Sequence, residues 1–480
     1  MRAAGASAST ATGASTATVA ETSFGRIRHW LGCTDVVNGL HMRELFFEVP
    51  LDYDDEKNAA AGGEEEGKKK IVVFAREVSS SRRPSDSLPY LIYLQGGPGF
   101  ESPRPLDSGG WMDKACESFR VLLLDQRGTG RSTALTTASL ALLDSAHDQA
   151  ALLALHRADN IVRDAEAIRQ CLGQKQWSTI GQSFGGFCTV TYLSMFPSSL
   201  RESFIMGGLP PTDKGCTAHK VYTHLFKRVE TQNKKYYSRF PQDVEKIRQV
   251  FSYLLKKRSV ETPAGNILSA KSLQSIGIRF GSAQCLESIH FMFEDPFEVT
   301  GELSYKFLRD YDSLISIDTN VIYAILHESI YCSEGGPSGW AAESVRKEYE
   351  VNECRNFDAS WAIANDEPVF FTGEMVFPFM FDEVKQLRPL QEASEILAMK
   401  SDWPPLYDEG QLLRNEVRAA AAVYFEDMYV DLNLSLETAQ KIKGLRVYVT
   451  NEYLHSGIRE NGPKVLEKLM NMARNVEPIR

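Results

Sequence analysis

Short apolar runs bounded by Gly, Pro and Asp recur along the first half of the chain and again near its end. Runs of this kind are typical of buried strands in a largely parallel sheet. In chain order they are ELFFEVPLDY (44–53), IVVFAREV (71–78), YLIYL (90–94), RVLLLD (120–125), STI (178–180), SFIMGG (203–208), AAAAVYF (419–425) and LRVYVT (445–450). We predict a strand at each of these positions.

Amphipathic helices are predicted between and after these runs. The stretch ADNIVRDAEAIRQCLG repeats Ile161, Ala165, Ile168 and Leu172 at helical spacing, and PKVLEKLMNMAR predicts a final helix. Strands that alternate with helices favour a mostly parallel sheet covered on both faces. The predicted fold class is therefore α/β.

The pattern changes between residues 213 and 412. Long mixed stretches such as HLFKRVETQNKKYYSRFPQDVEKIRQVFSYLLKKR are typical of helices, and parallel-strand runs become rare there. We predict a helical cap at 213–412, inserted between core segments 41–212 and 413–480 and preceded by a low-complexity tail at 1–40. The like-charged blocks of AAAGGEEEGKKK predict a solvated loop between two strands.

Composition narrows the class of partner and the compartment. The net charge of -10 argues against nucleic acid or an anionic membrane as the main partner, and no apolar run approaches the length that spans a bilayer. Eight scattered cysteines without a CxxC pair indicate reduced thiols, as in the cytoplasm. An organelle is the alternative if the Ala-, Ser- and Thr-rich tail is a transit peptide, and the oligomeric state stays open.

The stretch GQSFGG (181–186) matches G-x-S-x-G, in which a sharp strand-to-helix turn exposes a serine hydroxyl. A predicted strand precedes it, and GFCTVTYLSMF follows as a plausible helix. This context favours Ser183 as a nucleophile. The alternative is a glycine-rich turn with an inert serine.

A nucleophilic serine needs a base, and the base needs a carboxylate partner, both expected later in the chain. Of nine histidines, only His455 follows the last predicted strand. After the preceding strand, EDMYVD offers Glu426, Asp427 and Asp431. We favour Asp427, two residues past the apolar run, over Asp431; the alternative for either is a solvated carboxylate at a strand end.

Acyl transfer also requires stabilisation of an oxyanion, usually by two backbone N–H groups. The amide of Phe184, directly after the serine, is one candidate. The loop LQGGPGFESP, which follows YLIYL, supplies Gly96, Gly97 and Gly99. We take Gly97 as the second donor; alone, GGPG would be an ordinary turn.

Four ordered motifs, LQGGPG, LLLDQRGTGRS, GQSFGG and NEYLHSGIR, together resemble the proline iminopeptidase family of α/β hydrolases, from about residue 40 to the end. The resemblance implies Ser183 as nucleophile, His455 as base and an acid in EDMYVD. It also implies removal of N-terminal proline without a metal or organic cofactor. Gln95 stands where many shorter members have His, which resembles the longer branch with larger pockets. We assign Arg127 no catalytic role.

An aminopeptidase has to bind the charged amine of its substrate, and an enclosed carboxylate does this well. LHESIYC and FFTGEMVFPFMF resemble the lid motifs of the family that hold this amine, which implies Glu328 and Glu374. Solvated or helix-capping glutamates are the alternative. The expected partners are peptides with a free N-terminus; a broader aminopeptidase, an esterase and a non-catalytic hydrolase-like binding protein are the alternative functions.

Overall fold

The computed structural model describes residues 17–54, 69–82, 87–283, 285–315, 317–334 and 336–476. Its centre is a ten-stranded sheet in the order β1-β2-β3-β4-β6-β5-β7-β8-β11-β12, and β9 and β10 form a separate pair. The strands are β1 Thr18–Thr22, β2 Gly25–Val37, β3 Leu40–Pro50, β4 Lys70–Ser80, β5 Tyr90–Leu94, β6 Arg120–Asp125, β7 Trp177–Gln182, β8 Leu200–Met206, β9 Val260–Glu261, β10 Ile267–Leu268, β11 Arg418–Tyr424 and β12 Arg446–Thr450.

The sheet has an antiparallel and a parallel part. Strands β1 to β4 pair antiparallel in sequence, and β4 joins β6 antiparallel. From β6 through β5, β7, β8, β11 and β12 every pairing is parallel. The sequence prediction of a mostly parallel α/β fold is confirmed, and the carboxyl ends of the parallel strands share one edge, where such sheets place their sites.

The predicted tail at 1–40 is too long. Residues 18–37 form β1 and β2, which pair with each other, and β2 joins β3. Most side chains of β2 are exposed, so its sequence GRIRHWLGCTDVV lacks the apolar run by which the eight predicted strands were found. Residues 1–16 and most of the charged loop lie outside the described residues.

Two sets of helices accompany the sheet. Those of the sheet-forming segments are α1 Gly110–Cys116, α2 Thr137–Leu140, α3 Ala146–Ala154, α4 Ala158–Cys171, α5 Phe184–Met195, α17 Leu432–Lys441 and α18 Gly457–Ala473. Those between β8 and β11 are α6 Ala218–Arg239, α7 Asp243–Lys257, α8 Ala270–Gln274, α9 Cys285–Met292, α10 Tyr305–Leu314, α11 Val321–Leu326, α12 Ala341–Asn352, α13 Ala359–Ala364, α14 Met380–Glu383, α15 Gln391–Ala398 and α16 Glu409–Leu412. Apart from the short β9–β10 pair, the regular elements of this interruption are helices, and loops connect them.

Both faces of the sheet are buried along its central strands β5, β6 and β7. Along β5, Ile92 belongs to the apolar cluster that includes α4 and α5, whereas its neighbour Leu91 belongs to the cluster that includes α1 and α18. Alternation of this kind follows from the two-residue period of a strand. In the part of the chain that the structure describes, no helix combines the length and apolarity needed to cross a bilayer.

Arg127, in the loop after β6, is fully buried. Its guanidinium binds both carboxylate oxygens of Asp164, at 2.7 and 2.6 Å, and donates to the carbonyls of Pro50 and Leu155. The side chain therefore joins the end of β3, the turn before α4 and α4 itself. This position fits an architectural role.

Candidate active site

Ser183 lies in the tight turn between β7 and α5. Its backbone has φ 55 and ψ -124, a conformation that residues with a Cβ rarely adopt. The surrounding glycines allow close packing: a Cβ on Gly185 would lie 1.9 Å from the carbonyl oxygen of Leu94, and one on Gly208 would lie 2.2 Å from that of Ser183. The turn therefore holds the serine hydroxyl out at the edge of the sheet, as G-x-S-x-G predicts.

His455 is buried and paired with Asp427. Its Nδ1 lies 2.7 Å from Oδ2 of Asp427, while Oδ1 of Asp427 accepts the backbone N–H groups of Tyr429 and Val430 at 2.8 and 3.1 Å. Burial acts to lower the pKa of His455, but the charge and hydrogen bond of Asp427 outweigh it and the pKa is raised. The pairing leaves Nε2 of the imidazole free to accept a proton.

The other acids of EDMYVD have different partners. Asp431 accepts a hydrogen bond from Nε of Arg228 at 3.0 Å and caps α17 through the backbone N–H groups of Asn433 and Leu434. Glu426 pairs with Lys235. Of the three carboxylates left open by the sequence, the structure brings Asp427 to His455.

A cavity of about 220 Å³ opens beside these groups. It is lined by Gln95, Gly96, Gly97, Phe100, Gln182, Ser183, Ile278, Arg279, Ser282, Leu314, Tyr323, Glu374, Tyr429, His455, Ser456 and Arg459. Ser183 and His455 share this cavity without a direct hydrogen bond between their side chains, and such bonds often shorten only when substrate is bound. The inserted helical segment and the sheet both contribute walls.

The two expected oxyanion donors come from different elements, one from the start of α5 and the other from the loop after β5. Phe184 is the first residue of α5, where a backbone N–H has no acceptor within the helix. Gly97 lies in the cavity wall, and its neighbour Gly96 packs so closely that a Cβ there would lie 2.9 Å from Cβ of Ser183. The loop after β5 therefore runs directly past the nucleophile.

Glu374 is enclosed by protein except where it faces the cavity. The hydroxyl of Tyr323 donates to its Oε1 at 3.0 Å. Burial raises the pKa of Glu374 to about 7, although the nearby His455 and the Tyr323 hydrogen bond act in the opposite direction. A cation bound in the cavity would stabilise its ionised form.

Glu328, the other predicted amine ligand, does not line this cavity, and this expectation is corrected. Its carboxylate accepts the backbone N–H groups of Ala341 and Ala342, at 3.2 and 2.8 Å, in the first turn of α12. The position before that helix is Trp340, which makes no side-chain cap. Glu328 therefore caps a helix, which was the alternative considered from the sequence. The lack of a polar capping residue directly before Ala341 is the sequence signal that could have indicated this role.

Two tyrosines and two arginines are among the cavity side chains that were not assigned from the sequence. Tyr323 and Tyr429 supply aromatic walls, and the Tyr429 ring lies 4.7 Å from that of His455. Arg279 and Arg459 supply positive charge. Arg459 could have been found, because it lies four residues after His455 in NEYLHSGIR; Arg279 lies in a stretch without a motif.

Comparisons with known proteins agree on a fold and a set of relatives. A family model for the alpha/beta hydrolase fold matches residues 89–278. A proline iminopeptidase of Aeromonas sobria is 43% identical over 444 residues, which cover 92% of this chain and 98% of the relative. A proline iminopeptidase of Aspergillus aculeatus is 36% identical over 439 residues, covering 88% of this chain and 91% of the relative.

Proposed function

Because this chain belongs to the proline iminopeptidase family of α/β hydrolases, we propose that it is a serine aminopeptidase that releases N-terminal proline from peptides. One observation carries the proposal for the site. A single cavity contains a serine on a strained turn, a histidine paired with a buried aspartate, and an enclosed glutamate. Nucleophile, base and amine-binding group are thereby within reach of one substrate.

Acylation uses the first two of these groups. His455 takes the proton of the Ser183 hydroxyl, Oγ attacks the carbonyl carbon of the first residue, and Asp427 stabilises the imidazolium that forms. The backbone N–H groups of Phe184 and Gly97 stabilise the oxyanion. His455 then gives its proton to the departing amine of the second residue. In the second half of the reaction His455 takes a proton from water, the water oxygen attacks the acyl-enzyme, and His455 returns the proton to Oγ of Ser183 as proline leaves.

Recognition of the free amine falls to Glu374. An ion pair between its carboxylate and the substrate ammonium is stronger in this enclosed wall than it would be in water. Tyr323 holds one carboxylate oxygen in place, which leaves the other for the substrate. The rings of Phe100, Tyr323 and Tyr429 provide the apolar surface that a pyrrolidine ring needs.

The segments from which the site residues come support a division of the chain into a core and a cap. The sheet segments at 41–212 and 413–480 supply Ser183, Asp427 and His455, and the strands at 18–37 extend that core. The helical cap at 213–412 supplies Tyr323 and Glu374. A cytoplasmic location is supported by eight cysteines that are all free thiols, most of them buried.

Substitution of the nucleophile tests the function. We expect Ser183→Ala to reduce release of a fluorophore from a prolyl amide by about 10⁴-fold or more, because without Oγ no acyl-enzyme forms. A matched melting temperature would show that the variant is folded. A panel of other aminoacyl amides and N-acetylated prolyl amide checks specificity; wild-type turnover by the alanine variant would refute the mechanism.

A further inference from the structure

Two arginines line the cavity without any assigned task. Arg279 comes from the cap and Arg459 from α18, and both are exposed. Neither guanidinium forms a hydrogen bond or ion pair with another residue in the described ranges. Elsewhere arginines are held by carboxylates, as Arg104 is by Asp125 and Arg346 by Glu343. Two free cations at one opening of an acidic protein are thus available to a ligand.

The fold holds the two arginines at the same opening. The backbone N–H of His455 donates to the carbonyl of Gly281 at 3.0 Å, which ties the core to the cap. Arg279 lies two residues before Gly281, and Arg459 lies four residues after His455. The junction is tight, since a Cβ on Gly281 would lie 2.3 Å from the ring of Tyr429.

Charge is therefore distributed unevenly across the cavity. Glu374 is the one carboxylate among the lining residues that the structure describes, and it lies in the enclosed wall. The arginines lie at the exposed rim, and the charge of Arg459 reaches His455, whose pKa it acts to lower. A substrate with an amine at one end and an anion at the other would match this arrangement.

We infer that Arg279 and Arg459 bind a carboxylate on the leaving-group side of the substrate, so that short peptides carrying such a group are preferred. This inference rests on the proposed function. In a dipeptide the C-terminal carboxylate lies one residue, about 3.5 Å of extended chain, beyond the scissile bond. Guanidinium groups suit carboxylates because they donate two parallel hydrogen bonds. The same chemistry would accept the side chain of Asp or Glu after proline.

Paired substrates test the inference and separate the two sources of carboxylate. We expect kcat/KM for Pro-Ala to exceed that for Pro-Ala amide by about tenfold, as a charge-assisted contact at a partly exposed site allows. The preference should weaken with added salt. Pro-Asp amide against Pro-Asn amide measures the side-chain source. A preference within either pair supports the inference and identifies its source.

Variants connect the preference to these residues. We expect Arg279→Gln and Arg459→Gln to bring the ratio of acid to amide substrate close to one, and the corresponding Lys variants to keep part of it. Arg26→Gln, which removes a charge from β2 that pairs with Glu21 outside the cavity, is the control and should keep the full ratio. Ratios are compared at the pH plateau of each variant, because loss of Arg459 raises the pKa of His455.

The outcomes separate the inference from the function on which it rests. Equal kcat/KM for acid and amide peptides in the wild-type protein, with proline released from both, overturns the inference and leaves the aminopeptidase intact. A preference that survives both glutamine variants also overturns it. No proline release from any of the peptides would instead overturn the proposed function.

Discussion

Asp427 and Asp431 lie four residues apart, and their hydrogen bonds give them different tasks. Asp427 binds His455, and Asp431 binds Arg228 and caps α17. We expect Asp427→Asn to lower kcat by about 10⁴-fold, because an amide no longer fixes the imidazole tautomer or stabilises its cation. Asp431→Asn is the matched control and should lower the melting temperature while kcat stays within a fewfold. Similar losses of kcat in both variants would contradict this assignment.

We expect Glu374 and His455 together to determine the acid limb of the profile of activity against pH. Under the proposed mechanism, activity needs Glu374 ionised and His455 neutral. Because the pKa of Glu374 is raised to about 7 and that of His455 is also raised, we expect kcat/KM to rise with pH around neutrality. We expect Glu374→Gln to reduce kcat/KM for a prolyl amide by about 100-fold, as loss of an enclosed ion pair does.

The same variant should move the acid limb to lower pH. The charge of Glu374 acts to raise the pKa of His455, so its removal lets that pKa fall. Profiles of kcat/KM against pH for both proteins measure the shift. An acid limb that keeps its wild-type position would show that Glu374 is not coupled to the base.

At the scale of elements, the first turn of helix α12 is capped by a carboxylate that lies 13 residues before Ala341. Burial raises the pKa of Glu328 to about 7 from an ordinary value of 4.5, and its oxygens accept two N–H groups of the first turn. A raised folded-state pKa contributes stability that is full below the unfolded pKa and is lost as pH rises through about 7. The wild-type protein therefore loses this contribution between mildly acidic and neutral pH.

Glu328→Gln removes that loss, because the amide stays neutral at every pH. We expect the melting temperature of the variant, relative to wild type, to rise from about pH 5 to about pH 8. Thermal melts at several pH values measure it, and a constant difference would contradict the assignment. The value of kcat/KM for a prolyl amide is the second readout: a loss as large as that expected for Glu374→Gln would show that Glu328 belongs to the amine site.

Elements also show why some parts of the fold could be predicted and others could not. YLIYL and RVLLLD coincide with β5 and β6 because both strands are buried on two faces, which makes their sequences continuously apolar. β2 was missed because most of its side chains are exposed. A strand that is held mainly by backbone pairing with a neighbour needs few apolar side chains, so its sequence gives little signal.

At the scale of the whole molecule, Arg127 ties together parts of the core that are distant in sequence. It bonds Asp164 twice and the carbonyls of Pro50 and Leu155. We expect Arg127→Met to destabilise the protein by about 3–5 kcal/mol, because Asp164 is left buried with an uncompensated charge. Chemical denaturation measures the loss. Arg127→Met combined with Asp164→Leu should recover much of it, and no recovery would contradict the paired role.

The sequence by itself predicted eight of the twelve strands that the structure describes, the turn that carries Ser183 and His455 as the candidate base, because these depend on local patterns: apolar continuity, glycine spacing and order along the chain. The contact of Asp427 with His455, the capping role of Glu328 and the placement of Arg279 and Arg459 in one cavity were decided only by the tertiary structure. Each depends on which groups a side chain faces after folding, and segments up to 203 residues apart supply those groups. Charges and hydrogen bonds act between groups that folding brings close together. Residues of the same type therefore have different roles when folding gives them different neighbours.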